Sequence, residues 1–120
     1  MFDSEPVQLS KYVDIDDALG RVRGNKSLLK RMFGLFLDTN EFSELTDTLN
    51  RKDYEEAAKA AHAIKGISGN LSLPVLFECS TNLLGELRAG EPQDITIELY
   101  NNALENTLLA VNETIAQLDT

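Results

Sequence analysis

At 120 residues the chain fits one domain with a single core and has no room for a second independent one. Its 42% hydrophobic content, with only 7 Gly and 3 Pro, belongs to a globular, helix-friendly chain rather than a disordered one. A formal net charge of −9 repels nucleic acid and anionic membrane, so neither is expected as a partner.

The one cysteine, Cys79, excludes an internal disulfide or a cysteine metal cluster and suits a reducing cytoplasm. Met1 to Ser10 is polar, with no basic start followed by an apolar run, so no signal peptide is expected. No stretch is apolar enough to span a membrane.

The apolar residues recur at helical spacing throughout, and nothing alternates as a strand does. Residues 1–13 read as an irregular arm, with Pro6 and Val7 available to pack against the rest. Asp14 can cap a short helix through Leu19 and Val22 that stops near Gly24. Asn25 caps a longer helix with the stripe Leu28, Leu29, Met32, Phe33 and Phe36, continuing to Leu45 and Leu49. Asp38, Thr39 and Asn40 should bend or interrupt it, because their side chains compete for backbone hydrogen bonds.

Asp53 caps a third helix, from Tyr54 to about Leu71. Ser72 to Pro74 breaks the chain, and Pro74 suits the first turn of a fourth helix. That helix carries Leu73, Leu76, Phe77, Leu83, Leu84 and Leu87 and stops at Gly90. Pro92 restarts the chain, and a last helix buries Ile97, Tyr100, Leu104, Leu108, Val111, Ile115 and Leu118. Four substantial helices with short connections imply an all-α fold. The expected arrangement is an up-down-up-down antiparallel four-helix bundle with an additional short N-terminal helix over one end.

The chemistry concentrates between Ala60 and Leu71. On a helix, Tyr54, Ala57, Ala60, Ala61, Ile64, Ser68 and Leu71 share a core-facing arc of roughly 120°. His62, the only histidine, lies about 120° from the centre of that arc and so faces solvent. Gly66 stands one turn beyond it, Gly69 two turns beyond and Ala58 one turn before. Each glycine inside a helix costs about 0.5–1 kcal/mol relative to alanine. Two of them beside the sole histidine clear space for another protein's active site.

Lys65 lies one turn after the histidine and can lean toward the ring, and Lys59, one turn before, adds a second cation. A neutral imidazole is a good nucleophile, and phosphoryl transfer needs chiefly in-line positioning and neutralised oxygens. Lysine beside a bare, exposed histidine supplies part of that.

His62-Ala63-Ile64-Lys65-Gly66 resembles the signature of the histidine-containing phosphotransfer (HPt) family: a histidine, two residues, lysine, glycine. Ser68, Asn70 and Leu71 also match what often follows. Asp14 to Leu19, Gly24-Asn25 and Leu28-Leu29 resemble the first helices of such domains, so the likeness covers about residues 13–118. Ile67 stands where a small residue is common, and Ser72 where glycine often ends the helix.

The resemblance implies a stoichiometric phosphoryl carrier rather than an enzyme with turnover. His62 would be the nucleophile, Lys65 the phosphoryl stabiliser and Gly66 the source of clearance. Arg88 falls where some members carry a polar or basic helper. The implied partners are receiver domains of response regulators or hybrid sensor kinases, with magnesium on the receiver and no cofactor on this chain. The expectation is a monomeric, freestanding, cytoplasmic domain over residues 1–120.

Two other functions fit the same residues. One is a phosphorylatable input domain cut from a chemotaxis-type or hybrid sensor kinase. The other is a helical adaptor that binds receivers without chemistry, against which the intact His-x-x-Lys-Gly argues. A single histidine argues against a metal site, and no buried acid adjoins His62 in sequence to complete a catalytic triad. Phe33 and Leu37 are the expected exposed anchors for a docked partner. Cys79 reads as a small apolar packing group, and Gly34 and Gly85 as places where one helix could approach another closely.

Overall fold

The computed structural model describes residues 9–119, and among these every regular element is an α-helix. In chain order they are α1 (Leu9–Tyr12), α2 (Ile15–Arg21), α3 (Lys26–Asp38), α4 (Glu41–Asn50), α5 (Tyr54–Asn70), α6 (Pro74–Arg88) and α7 (Asp94–Leu118). No helix among the described residues is long and apolar enough to cross a membrane.

The predicted starts hold at atomic level. The carboxylate of Asp14 accepts from the Asp17 N–H at 3.1 Å, the Asn25 amide oxygen from Leu28 at 3.0 Å, and Asp53 from Glu56 at 3.3 Å. Each satisfies one of the donors that a first turn leaves unpaired. Pro74 occupies the first turn of α6, where its missing N–H costs nothing. Gly24 and Gly90 take left-handed φ values of +79° and +78°, which end α2 and α6 without a Cβ clash. The Asp38-Thr39-Asn40 segment divides the long second helix into α3 and α4.

Ser72 also sits in the left-handed region, at φ 60°. Glycine would adopt that conformation at less cost, which accounts for glycine being the expected residue there. The serine is held in place from α2. Its hydroxyl donates to Asp17 Oδ2 at 2.5 Å, and its carbonyl accepts from the Asp14 N–H at 2.9 Å. That hydrogen bond, and then the Arg21 side chain, lower the Asp17 pKa below the ordinary carboxylate value.

Helix α5 packs on α4 and on α6. Helix α7 packs on α6, α3 and α1. The core-facing residues of α5 are Ala57, Ala60, Ala61, Ile64 and Ser68, matching the predicted arc; Tyr54 is half-buried at its edge. They meet Phe33, Phe36, Leu45, Leu76, Leu83 and Leu84, all essentially without solvent contact. The buried hydroxyls of Ser68, Ser80, Thr48 and Thr114 each donate to a carbonyl one turn back. Tyr100 Oη and Thr107 Oγ1 are buried without a hydrogen-bond partner, and burial drives the Tyr100 pKa strongly upward.

Several expectations need correction. The arm is not irregular throughout, since Leu9–Tyr12 form α1 and Val13 is buried. Pro6 and Val7 lie outside the described residues. Leu28 and Phe77 are 41% and 39% exposed rather than in the core. On α7 the small residues Ala103, Thr107, Ala110 and Thr114 are the buried ones beside Tyr100 and Val111, while Ile97, Leu104, Leu108, Ile115 and Leu118 are half-buried. A Cβ at Gly34 or Gly85 would meet nothing within 4 Å, so neither serves a close helix approach.

Candidate functional site

His62 is carried by the third turn of a 17-residue helix whose opposite face is locked into the core. Five core-facing side chains fix the rotation of that helix, so the direction of the imidazole follows from packing it does not itself share. The residue is exposed, and the His62 side chain makes no hydrogen bond or ion pair among the described residues.

Gly66, one turn on, is also exposed, and a Cβ there would meet nothing within 4 Å. The clearance expected of this glycine is present. Replacing Gly66 with Ala should leave stability unchanged or raise it by up to about 1 kcal/mol, because alanine is the better helix former. Gly66→Gln should likewise stay folded, while its longer side chain obstructs anything closing over His62. Thermal melts of the two variants, compared with their phosphorylation by a receiver, check both statements. Strong destabilisation by Gly66→Gln would show that this face is packed.

Gly69 differs. A Cβ there would stand 3.3 Å from Cδ1 and Cε1 of Phe77, so the aromatic ring from α6 already covers it. The expected open ground two turns beyond His62 is therefore occupied. Ala58 is half-buried against the core and presents little side chain.

The two lysines also separate. Lys59 is paired with Glu56, Nζ to Oε2 2.7 Å, and that contact raises its pKa. It is a matched surface pair, not the free second cation expected beside the histidine. Lys65 has no carboxylate partner among the described residues. It is half-buried, and its Nζ stands 5.9 Å from the centroid of the Phe77 ring.

Arg88 is exposed at the last position of α6. The short turn through Leu73 makes α5 and α6 antiparallel neighbours. At 1.5 Å per residue, the Arg88 backbone lies about 9 Å farther from that turn than His62 does. Burial pushes the Cys79 thiol pKa up, consistent with a packing rather than a reactive role.

The proposed anchors are redistributed as well. Phe33 has no exposed surface and belongs to the core, and Leu37 is half-buried. The apolar side chains that reach solvent near the motif are Leu35 on α3, 65% exposed, and Phe77 on α6. Leu35 shares a shallow cleft with Met32, Ile67 and Asn70, at the C-terminal end of the α5 segment that carries the motif. A signal for this existed in the sequence. Leu28, Met32 and Leu35 form a second stripe on α3, offset from the core stripe of Leu29, Phe33 and Phe36.

Among the described residues no group of three or more His, Cys, Asp or Glu side chains could hold a metal ion. Compared with known proteins, the chain matches no family model, no curated protein and no solved structure.

Proposed function

We propose that this chain is a histidine phosphotransfer domain that takes a phosphoryl group onto His62 from the aspartyl phosphate of a receiver domain and relays it to another response regulator. The observation that carries this reading is the exposed imidazole on a well-packed helix, with a bare glycine one turn on and a lysine beside it that has no carboxylate partner among the described residues. In the transfer, a neutral ring nitrogen uses its lone pair to form the N–P bond. The acyl-phosphate O–P bond breaks, and the receiver recovers its aspartate carboxylate. The imidazole keeps its other N–H, and the reverse reaction runs through the same positions.

The chain supplies the nucleophile, the Lys65 cation and the open approach. The receiver supplies in-line geometry and magnesium. The helix packing supports reading α3–α4, α5, α6 and α7 as the four members of an up-down-up-down bundle, with α2 as the additional short helix. The carrier would act as a cytoplasmic monomer. A receiver docked over His62 would touch Leu35 and Phe77 as apolar anchors, in a small and transient interface.

The test is incubation with phosphorylated receiver domains from the same genome. Phosphate should appear on this chain in an acid-labile, base-stable form. If no receiver transfers phosphate, while each still loses it to a known carrier, the reading fails.

Lys65→Ala should slow transfer or shorten the life of the phosphohistidine while receiver binding survives, because cations offset charge on phosphoryl oxygens. Rapid-quench transfer rates and the hydrolysis rate of the purified phosphoprotein measure this. Rates equal to wild type would reduce Lys65 to an ordinary surface lysine.

A further inference from the structure

Two observations meet at Phe77. Its ring lies close enough to α5 that Gly69 cannot gain a Cβ without contact at 3.3 Å. The same ring takes the Lys65 ammonium at 5.9 Å from its centroid. Gly69 is one turn after Lys65, and His62 is one turn before it. The ring and the imidazole therefore flank the lysine on opposite sides along the helix.

A lysine stem has four rotatable carbons, so one ammonium can serve either side but not both at once. Lys65 has no competing carboxylate among the described residues. The electrons of the ring face attract a cation. With an unphosphorylated imidazole, the ring is the seat the ammonium takes among the described residues.

We infer that Phe77 is the resting seat of the Lys65 ammonium, held over Gly69 and away from His62, and that a phosphoryl group on His62 draws the ammonium off the ring. The inference rests on the phosphotransfer reading for its second half only. Its physical logic is a difference of strengths. An exposed cation–π contact is weak, whereas a phosphoryl group carries close to two negative charges and several strong acceptors. The ring thus keeps the cation clear of the nucleophile and yields it once charge arrives. Phe77 is here a positioning residue, acting through Lys65. Gly69 is the residue that lets the ring lie where Lys65 can reach it.

The test uses the whole chain and phosphoramidate as donor, which needs no receiver. In that reaction the imidazole lone pair forms the N–P bond, the P–N bond of phosphoramidate breaks, and ammonia leaves. Proton NMR of the Lys65 ε-methylene reads the seat directly, since protons over an aromatic face shift upfield.

In the unphosphorylated wild type these signals should lie upfield of the other lysines. They should return to the ordinary position on phosphorylation. Phe77→Leu should place them at the ordinary position in both states, and Phe77→Tyr should behave as wild type. Gly69→Ala, which leaves Phe77 in the chain but pushes its ring outward, should reduce the upfield shift.

Because the phosphoryl group already holds the ammonium off the ring, the phosphohistidine of Phe77→Leu should hydrolyse at the wild-type rate. Lys65 signals at the ordinary position in the unphosphorylated wild type would overturn the seat. Signals that stay upfield on the phosphoprotein, a longer-lived phosphohistidine in Phe77→Leu, or failure of phosphoramidate to modify His62 would overturn the release. If phosphoramidate labels His62 and the shifts behave as stated, but no receiver transfers phosphate, the relay reading fails and the seat stands.

Discussion

His62→Gln should abolish phosphate incorporation by any donor while leaving the fold intact. The loss is complete because the chain contains one histidine, and glutamine has no nitrogen lone pair that can attack phosphorus. The fold survives because the side chain is exposed and makes no hydrogen bond or ion pair among the described residues. Surface changes of this kind move stability by less than about 0.5 kcal/mol. Acid-labile labelling, circular dichroism and a thermal melt measure all three quantities on one preparation. Undiminished labelling of the variant would remove His62 from the mechanism. A collapse of the melt would mean that its face is buried.

Phe33→Ala should destabilise the protein by about 3–5 kcal/mol, the range for deleting a fully buried phenyl group. The ring has 0% exposure and sits with Phe36 and Leu45 in the core. A domain of this size holds only about 5–15 kcal/mol in total, so the variant should lose a large share of it. Leu35→Ala, two residues along the same helix, should change stability by less than about 0.5 kcal/mol, because Leu35 is 65% exposed. Urea unfolding midpoints for the two variants separate them cleanly. In a receiver titration, Leu35→Ala should weaken binding although it barely affects folding. Equal and small effects of both substitutions on stability would place Phe33 on the surface, where a docking anchor would need it.

That contrast shows where sequence reading stops. A helical stripe records which residues are apolar and share a face. It does not record how wide a sector the neighbouring helices cover. On α3 the apolar residues span two adjacent stripes, and only the packing partners decide which is buried. On α7 the neighbours bury a line of alanines and threonines, which hydropathy alone ranks below leucine.

Local chemistry was legible because it depends on residues close in the chain. Asp14, Asn25 and Asp53 cap helices through hydrogen bonds spanning three residues. Gly24 and Gly90 end helices through their own φ values, and Pro74 begins one for lack of an N–H. The facing of α5 was equally legible. Its small residues and Ile64 mark one narrow arc, leaving His62 and Gly66 opposite.

Within single segments, residue choice already dictates the helices, most of their ends, and an outward-facing His62 with Gly66 open beside it. Each of these is settled by propensity, capping or a period of 3.6 residues within one segment. Tertiary structure decided the rest. Asp17 from α2 holds Ser72 in a left-handed turn, and Phe77 from α6 covers Gly69 and takes Lys65. Glu56 and Lys59, one turn apart on α5, settle as a pair through rotamers that the spacing allows but does not dictate. Contacts between residues distant in sequence depend on the register between helices, which is set by the summed packing of the whole core, and no single segment encodes it.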